Sequence, residues 1–337
     1  MNRKRHVLVS VIITTYHNEE YLPRAIDSVL GQSYSEIELI VVDDNPPGSR
    51  SRQATERLME GYPQAVYLRH PENRNGAAAR NTGIHAATGE YIAFLDNDDV
   101  YFRGHIGKCV EILNQHPECG GVVCGVVKVR EGICWDRILP VQGEFVKQLF
   151  FSETALGTGS NLFVRAELVK AIGGFDESFL RHQDVEFAVR IYSEKPPVIL
   201  PEVQIVKGMD GFSNTPDFDR FLETKRHFSE KFQDKIEKLS EEESNRYYSS
   251  QYSALLYAAC VSGQRDKILW TVQKLRNYRK LKKKEVLLLV LQRFHLFFLY
   301  ERFKRMVKKK KSVKLCKEIT ANLDSLDQKI LFDTMKG

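Results

Sequence analysis

The run Tyr91-Ile92-Ala93-Phe94-Leu95-Asp96-Asn97-Asp98-Asp99 sets an apolar stretch directly against three carboxylates. A short continuous apolar run is how a strand buried on both faces reads. In open parallel sheets, ligands bind beyond the carboxyl ends of such strands. Asp96 and Asp98 are two apart, so in extended chain they share a face. A divalent cation is the simplest neutraliser of that crowding. Oxygen ligands select Mg²⁺ or Mn²⁺, whose shells are completed by water and substrate phosphates. The competing use of the same residues is structural, because Asp is a good helix N-cap.

Further reactive side chains fall at similar places. Thr14, Thr15 and Tyr16 close an apolar run that starts at Val7, and Asp43 and Asp44 close a second one. The segment Asn75-Gly76-Ala77-Ala78-Ala79-Arg80-Asn81 reads as a helix start whose small side chains permit close backbone approach, with Arg80 about a turn inside. An aromatic ring, a carboxylate, an arginine and a metal-binding pair together suit a nucleoside diphosphate. The ring stacks on the base, the carboxylate accepts from base or ribose, and guanidinium and cation meet the phosphates. The glycine-rich turn of a dinucleotide-binding fold is missing, since Thr14-Thr15-Tyr16-His17-Asn18 stands in its place, and there is no lysine-containing phosphate loop. Redox cofactors, simple ATPase chemistry and nucleotidyl transfer are therefore disfavoured.

The elements that must position these groups alternate. The pattern predicts strands over 7–16, 37–44, 65–69 and 121–128 around the acidic strand, with helices over 21–30, 51–61, 76–87 and 103–115. Such alternation specifies an α/β fold, a mainly parallel sheet with helices on both faces. Less regular chain follows: a strand over 161–165, helices over 166–172 and 184–193, and a strand over 198–200. Beyond that the spacing is purely helical, which divides the chain into a catalytic domain over 1–220 and a helical region over 221–337. Six cysteines without a Cys-x-x-Cys pair read as free thiols. The short apolar run near the N-terminus flows into Thr-Thr-Tyr-His-Asn without a small-residue cleavage site, so it reads as a core strand and the expected location is the cytoplasm.

At this point the chain resembles the inverting GT-A glycosyltransferases of glycosyltransferase family two. The resemblance runs from Val9 to about Ser213 and rests on five motifs in order: VSVIITTYHNEEYLPRAIDSVLGQSY, IELIVVDDN, NGAAARNTG, FLDNDDV and IGGFDESFLRHQDVEFAVRI. It implies that Tyr16 stacks on uracil beside Thr14, that Asp44 contacts the nucleoside, and that Arg80 meets base or phosphates. It further implies that Asp96 holds ribose or sugar, that Asp98 holds Mn²⁺ or Mg²⁺ against the diphosphate, and that Asp184 is the general base. A carboxylate at a helix start is held ionised by the helix dipole. Gly159, Ser160, Gln183 and Glu186 are expected on the acceptor side. Two departures stand out. Gln183-Asp184 replaces the family's Glu-Asp, and VKGMDGFS lacks the histidine that reaches the metal in many members, leaving Asp210 as a substitute.

The expected function is transfer of one hexose or N-acetylhexosamine from a nucleotide sugar, UDP-linked, to a hydroxyl of a surface glycan or a lipid-linked oligosaccharide. The alternative is a catalytically silent module that binds sugar nucleotide or glycan within an assembly complex. The processive synthases' Gln-x-x-Arg-Trp motif is absent. The charge is uneven: residues 274–317 hold 17 basic and 2 acidic side chains, whereas the remainder holds 33 basic and 42 acidic. Within that segment 286–300 is apolar except for Gln292, Arg293 and His295. As one helix it is too short to span a bilayer and is expected to lie in an anionic membrane surface, making the protein peripheral at the inner face. Apolar residues between the basic blocks argue against nucleic acid, and a packed homo-oligomer helix is the competing use.

Overall fold

The structure, a computed structural model, describes residues 7–209 and 217–336. Its sheet contains β1 (Val9–Thr15), β2 (Ile37–Asp43), β3 (Val66–Arg69), β4 (Tyr91–Asp96), β5 (Asp99–Tyr101), β6 (Gly121–Arg130), β7 (Ile133–Ile138), β8 (Phe163–Arg165) and β9 (Pro197–Gly208). Between these strands lie α1 (Leu22–Leu30), α2 (Arg50–Met59), α3 (Gly76–Ala86), α4 (His105–Gln115), α5 (Phe145–Phe150), α6 (Ala166–Ala171) and α7 (Gln183–Glu194). The strand order is β3-β2-β1-β4-β8-β6-β9-β5, with β7 paired to β6.

The first half of that order, β3-β2-β1-β4, is wholly parallel, as the alternation predicts. The second half is mixed: β8 runs antiparallel to β4 and β6, β5 antiparallel to β9, and β6 parallel to β9. The sheet as a whole is therefore mixed, with one parallel half. β1 is an interior strand between β2 and β4, with Val9, Val11, Ile12 and Ile13 all buried. Helix α3 packs so close to it that a Cβ on Gly83 would fall 2.4 Å from an Ile12 methyl. The connection β2-β1-β4 reverses direction of travel at β1, so the carboxyl ends of β1 and β4 form the switch point where a ligand crevice is expected.

The chain divides into two compact units. The first holds the sheet, its helices and everything from Ser312 onward; the second holds Lys147–Thr154 and the helices up to Lys311. The second unit comprises α8 (Phe218–Lys231), α9 (Gln233–Ile236), α10 (Glu241–Ser262), α11 (Arg265–Arg276), α12 (Lys283–Arg293) and the start of α13 (Phe297–Thr320). Its core joins Phe218, Leu255, Leu256, Ala259, Leu275 and Leu288. α10 opens with a capping box between Ser240 and Glu243 and stops at Gly263, which takes the left-handed conformation with φ 71°.

Two expectations change here. A single cut at 220 does not describe the units, because Ile319 of α13 and Leu331 of α14 (Ser325–Lys336) bury themselves with Val100, Phe102, Val127, Val129, Cys134 and Val206 in the first unit. Nor is 286–300 one helix. α12 ends at Arg293, His295 takes φ 57°, and α13 starts at Phe297. Leu288 and Phe297 would lie about half a turn apart on a continuous helix; the break lets both reach the same helical core.

Candidate active site

The acidic loop is built from three sides. β4 delivers Asp96, and Asp99 opens β5, whose register places it opposite Lys207 of β9. Asp96, Asp98 and Asp99 each offer a carboxylate oxygen within 4.8 Å of the others, a set able to hold a metal ion. Beneath them runs 158–160. The Ser160 hydroxyl donates to Asp99 Oδ2 at 2.7 Å and accepts from the Asp96 backbone N–H at 2.9 Å, while the Thr158 hydroxyl lies 2.5 Å from Asp99 Oδ2. Asp99 Oδ1 is buried and has no hydrogen-bond partner among the described residues. A buried carboxylate oxygen left open beside two more carboxylates suits a cation with oxygen ligands. The residues present fit a metal.

The electrostatics fit as well. Burial and the Asp99 carboxylate push Asp98 up to about 7, against Lys207. Burial and Asp96 likewise raise Asp99, while burial would raise Asp96 too but Arg80 and Lys207 outweigh it and hold it low. Lys207 is lowered by burial and raised more strongly by Asp99, Asp96, Asp98 and Asp184. It is the internal countercharge of the cluster. Gly208 follows it because a Cβ there would lie 2.4 Å from the Asp98 carbonyl oxygen.

Arg80 links the acidic loop to the α7 start. One guanidinium nitrogen donates to Asp96 Oδ1 at 2.6 Å, another to the Gln183 side-chain oxygen at 3.0 Å, and the group rests over the Phe175 ring at 5.5 Å. Gly76 and Gly159 make room, since a Cβ on either would be 3.1 Å from the guanidinium. Below, Phe175 stacks on Phe187 at 4.1 Å, and Phe94 meets both edge-on. Asp184, half-buried beside Gln183, is raised by burial; Arg80 works against that and Asp96 with it. The dipole argument pointed the other way, and desolvation outweighs it.

The carboxyl end of β1 is shaped by a tight turn. Tyr16 is 42% exposed, and His17 and Asn18 both take left-handed φ directly after β1. Asn97 holds this turn to the acidic loop by donating to the Thr15 hydroxyl at 3.0 Å and the His17 carbonyl at 2.8 Å. Thr14 pairs in register with Asp96. Asp43 is buried, with Arg52 at 3.0 Å and the Tyr67 hydroxyl donating at 2.6 Å.

Several expected roles are altered by these contacts. The Asp44 carboxylate already accepts from the Asn73 amide and from the backbone N–H groups of Arg74 and Asn75, and lies 2.6 Å from His70 Nδ1. These four partners tie it to loop 70–75, whose shape it sets. Ser160 is scaffold under the carboxylates, and Gly159 gives space to Arg80. Gln183 holds Arg80. Glu186 is fully buried in a two-pronged pair with Arg190, which also donates to the Ile172 and Gly174 carbonyls at 2.8 Å. It anchors the Gly-Gly-Phe turn to α7. Asp210 lies outside the described residues.

The site can be compared with known proteins. Residues 10–173 match the family model described as Glycosyl transferase family 2. The chain carries a family 2 glycosyltransferase domain. An uncharacterized glycosyltransferase of Rickettsia conorii is 31% identical over 198 residues, 57% of this chain and 32% of the relative. One of Methanocaldococcus jannaschii is 27% identical over 187 residues, 54% of this chain and 64% of the relative. The chain thus spans about a third to two thirds of the length of these relatives. Among solved structures, S. aureus TarS 1-349 in complex with UDP-GlcNAc superposes with a TM-score of 0.57 at 15% identity, covering 90% of this chain and 92% of that one. The Pyrobaculum calidifontis mannosyltransferase PcManGT, in complex with GDP-Man and Mn²⁺, gives 0.50 at 18% identity, covering 92% and 88%. At such identity the likeness shows the GT-A fold.

In this glycosyltransferase domain the structure brings Arg80, Asp96, Asp98 and Asp184 together, with Thr14 and Tyr16 on the adjacent β1 end. Sequence reasoning missed Lys207, Thr158 and the part Asp99 plays. The available signal was a lone lysine in an apolar strand, just where the family's histidine was being sought.

Proposed function

We propose that the chain is a metal-dependent inverting glycosyltransferase that moves a single sugar from a UDP-linked donor to a hydroxyl of a surface glycan or lipid-linked oligosaccharide. One observation carries this reading: the open Asp99 oxygen among Asp96, Asp98 and Asp99, with Asp184 close enough to feel the Asp96 charge. Asp98 and Asp99 would hold Mn²⁺ or Mg²⁺, which supplies positive charge for the departing diphosphate. Tyr16 offers its exposed ring to the base. Arg80 and Lys207 add fixed positive charge at the phosphate side. Asp184 accepts the proton of the attacking hydroxyl, and burial makes it a better base than an exposed aspartate. Binding of UDP-GlcNAc by TarS and of GDP-Man with Mn²⁺ by PcManGT supports the donor class and the metal.

No helix among the described residues is long and apolar enough to cross a membrane. Phe294, Phe298 and Phe303 nevertheless remain about three-fifths exposed on α12–α13, between blocks of lysine. This surface fits the head-group region of an anionic bilayer, where a lipid-linked acceptor would be presented.

The test is a screen of nucleotide sugars for hydrolysis and transfer with Mn²⁺ or Mg²⁺. Turnover should stop in excess chelator and return with metal, and Asp98→Ala should lose donor affinity as well as rate. Full activity in chelator, or in Asp98→Ala, would remove the metal from the reading.

A further inference from the structure

The helical unit contains a hollow of about 290 Å³ between α8, α10 and α11. Its size is near the lower end of small-ligand sites, ~300 Å³ and upward. One wall is aromatic: Tyr248, Tyr252 and Trp270. Tyr252 and Trp270 meet nearly edge-on at 6.0 Å, and Tyr278 stacks behind both tyrosines at 4.9 and 5.8 Å, fixing the wall. Lys225 and Arg226 of α8 and Lys274 of α11 bring three cations to the lining, against one acid, Glu230.

None of the three cations forms an ion pair among the described residues. Lys274 Nζ lies 5.8 Å from the Trp270 ring and Lys225 Nζ lies 5.2 Å from the Phe221 ring. Burial lowers Lys225 to about 8, and no neighbouring carboxylate opposes that. By contrast Arg279, Arg246 and Lys267 of the same unit are each paired, with Glu285, Glu153 and Asp219. Lys225 and Lys274 are half-buried and Arg226 is exposed, so an anion entering the hollow meets three cations without displacing an existing ion pair.

We propose that this hollow binds an anionic sugar unit, a pyranose whose phosphate or carboxylate is held by Lys225, Arg226 and Lys274 and whose C–H face lies on Trp270 and Tyr252. A neutral sugar would leave the cations uncompensated, and a bare inorganic anion would leave the aromatic wall unused. The site lies wholly within the helical unit and needs no metal. It goes beyond the transferase reading, and either can fail without the other.

The chain has two tryptophans, Trp135 and Trp270. A full-length Trp135→Phe protein therefore reports on Trp270 alone. In metal-free buffer, glucose 6-phosphate and glucuronate should change its fluorescence saturably, and neutral glucose should bind at least about tenfold more weakly. Loss of a charge-assisted contact is worth about a factor of ten or more, so Lys225→Gln and Lys274→Gln should each weaken glucose 6-phosphate by that amount. Metal-dependent donor hydrolysis should be unchanged in both, and thermal melts show whether each is folded. Equal binding of glucose, or folded variants with unchanged affinity, would overturn the proposal. So would inorganic phosphate binding as tightly as glucose 6-phosphate, which would mean a bare anion site. Phosphatidylglycerol vesicles altering Trp270 while the soluble sugars do not would reassign the hollow to a lipid headgroup.

Discussion

Lys207 and Asp184 carry the electrostatic argument at the scale of single residues. Lys207 faces Asp99 across the β5–β9 ladder and is raised by four carboxylates, so removing its charge leaves Asp98 and Asp99 without their countercharge while Asp96 keeps Arg80. We expect Lys207→Met to melt at lower temperature without metal and to gain more stability than wild type on adding Mn²⁺, because binding to the folded state alone is linked to stability. Equal metal-induced shifts in scanning calorimetry would show that Lys207 is no countercharge. For Asp184 the active form of the base is the ionised one, so activity falls as pH drops through its pKa. Burial raises that pKa, and the acid limb should begin at higher pH than an exposed aspartate would give. Gln183→Glu adds a charge beside it and should move the limb further up, whereas Asp184→Asn should cost ~10²–10⁴-fold in transfer with UDP affinity nearly kept. A limb that ignores Gln183→Glu would detach it from Asp184. The reactive types Arg80, Asp96, Asp98 and Asp184 were legible because each sits at a strand end or helix start. Lys207 was not, because its partner is more than a hundred residues away and only the ladder brings them together.

Among elements, the turn before α7 shows what fixes the base in place. Asn81 of α3 accepts from the Phe175 backbone N–H at 2.8 Å and donates to the Phe175 carbonyl and to Glu177, both at 2.9 Å. Gly174 permits that latch: its φ is 73°, and a Cβ there would lie 2.5 Å from Asn81 Oδ1. Gly174→Ala combines left-handed strain with a clash and should cost about 1–3 kcal/mol, read from the denaturant midpoint. It should also lower transfer rate, since the latch sets where α7 delivers Asp184. Unchanged stability and rate would mean that the turn tolerates what its geometry forbids. Most strands and helices were legible from apolar periodicity, from β1 through α4. β5 was hidden because Asp98 and Asp99 read as loop, yet Asp99 is buried by hydroxyls of 158–160 that no local pattern announces. The apolar stretch 286–300 looked like one helix because periodicity does not record that Leu288 and Phe297 must turn toward one core.

At the scale of the whole molecule, the charge asymmetry was legible from composition, but the destination of the C-terminal chain was not. Ile319 and Leu331 are buried, and Leu315, Cys316, Leu323, Ile330 and Met335 pack beside them, but these side chains are interspersed with lysines and acids and name no partner in the sheet. Cutting the chain after Lys311 should therefore uncover Val100, Phe102 and Val206 in the first unit. Burial of a large apolar side chain contributes about 1.5–3 kcal/mol, so this truncation should lower the melting temperature or bring aggregation. Truncation cannot then test the membrane surface, and substitution within the full chain must. Phe294, Phe298 and Phe303 are 62%, 60% and 60% exposed, so changing all three to Ser removes insertion area with little effect on packing. Wild-type protein should sediment with phosphatidylglycerol vesicles at low salt. It should leave them at about 1 M salt, where screening reaches within about 3 Å. The triple variant should bind much more weakly while its melting temperature and donor hydrolysis stay near wild type. Replacing Lys309, Lys310 and Lys311 by Gln should weaken binding by up to about 1 kcal/mol per charge removed. Neutral vesicles binding equally well would leave insertion without the electrostatic part. Failure of wild type to bind anionic vesicles at low salt would make the exposed rings a surface for another protein or a second copy of the chain.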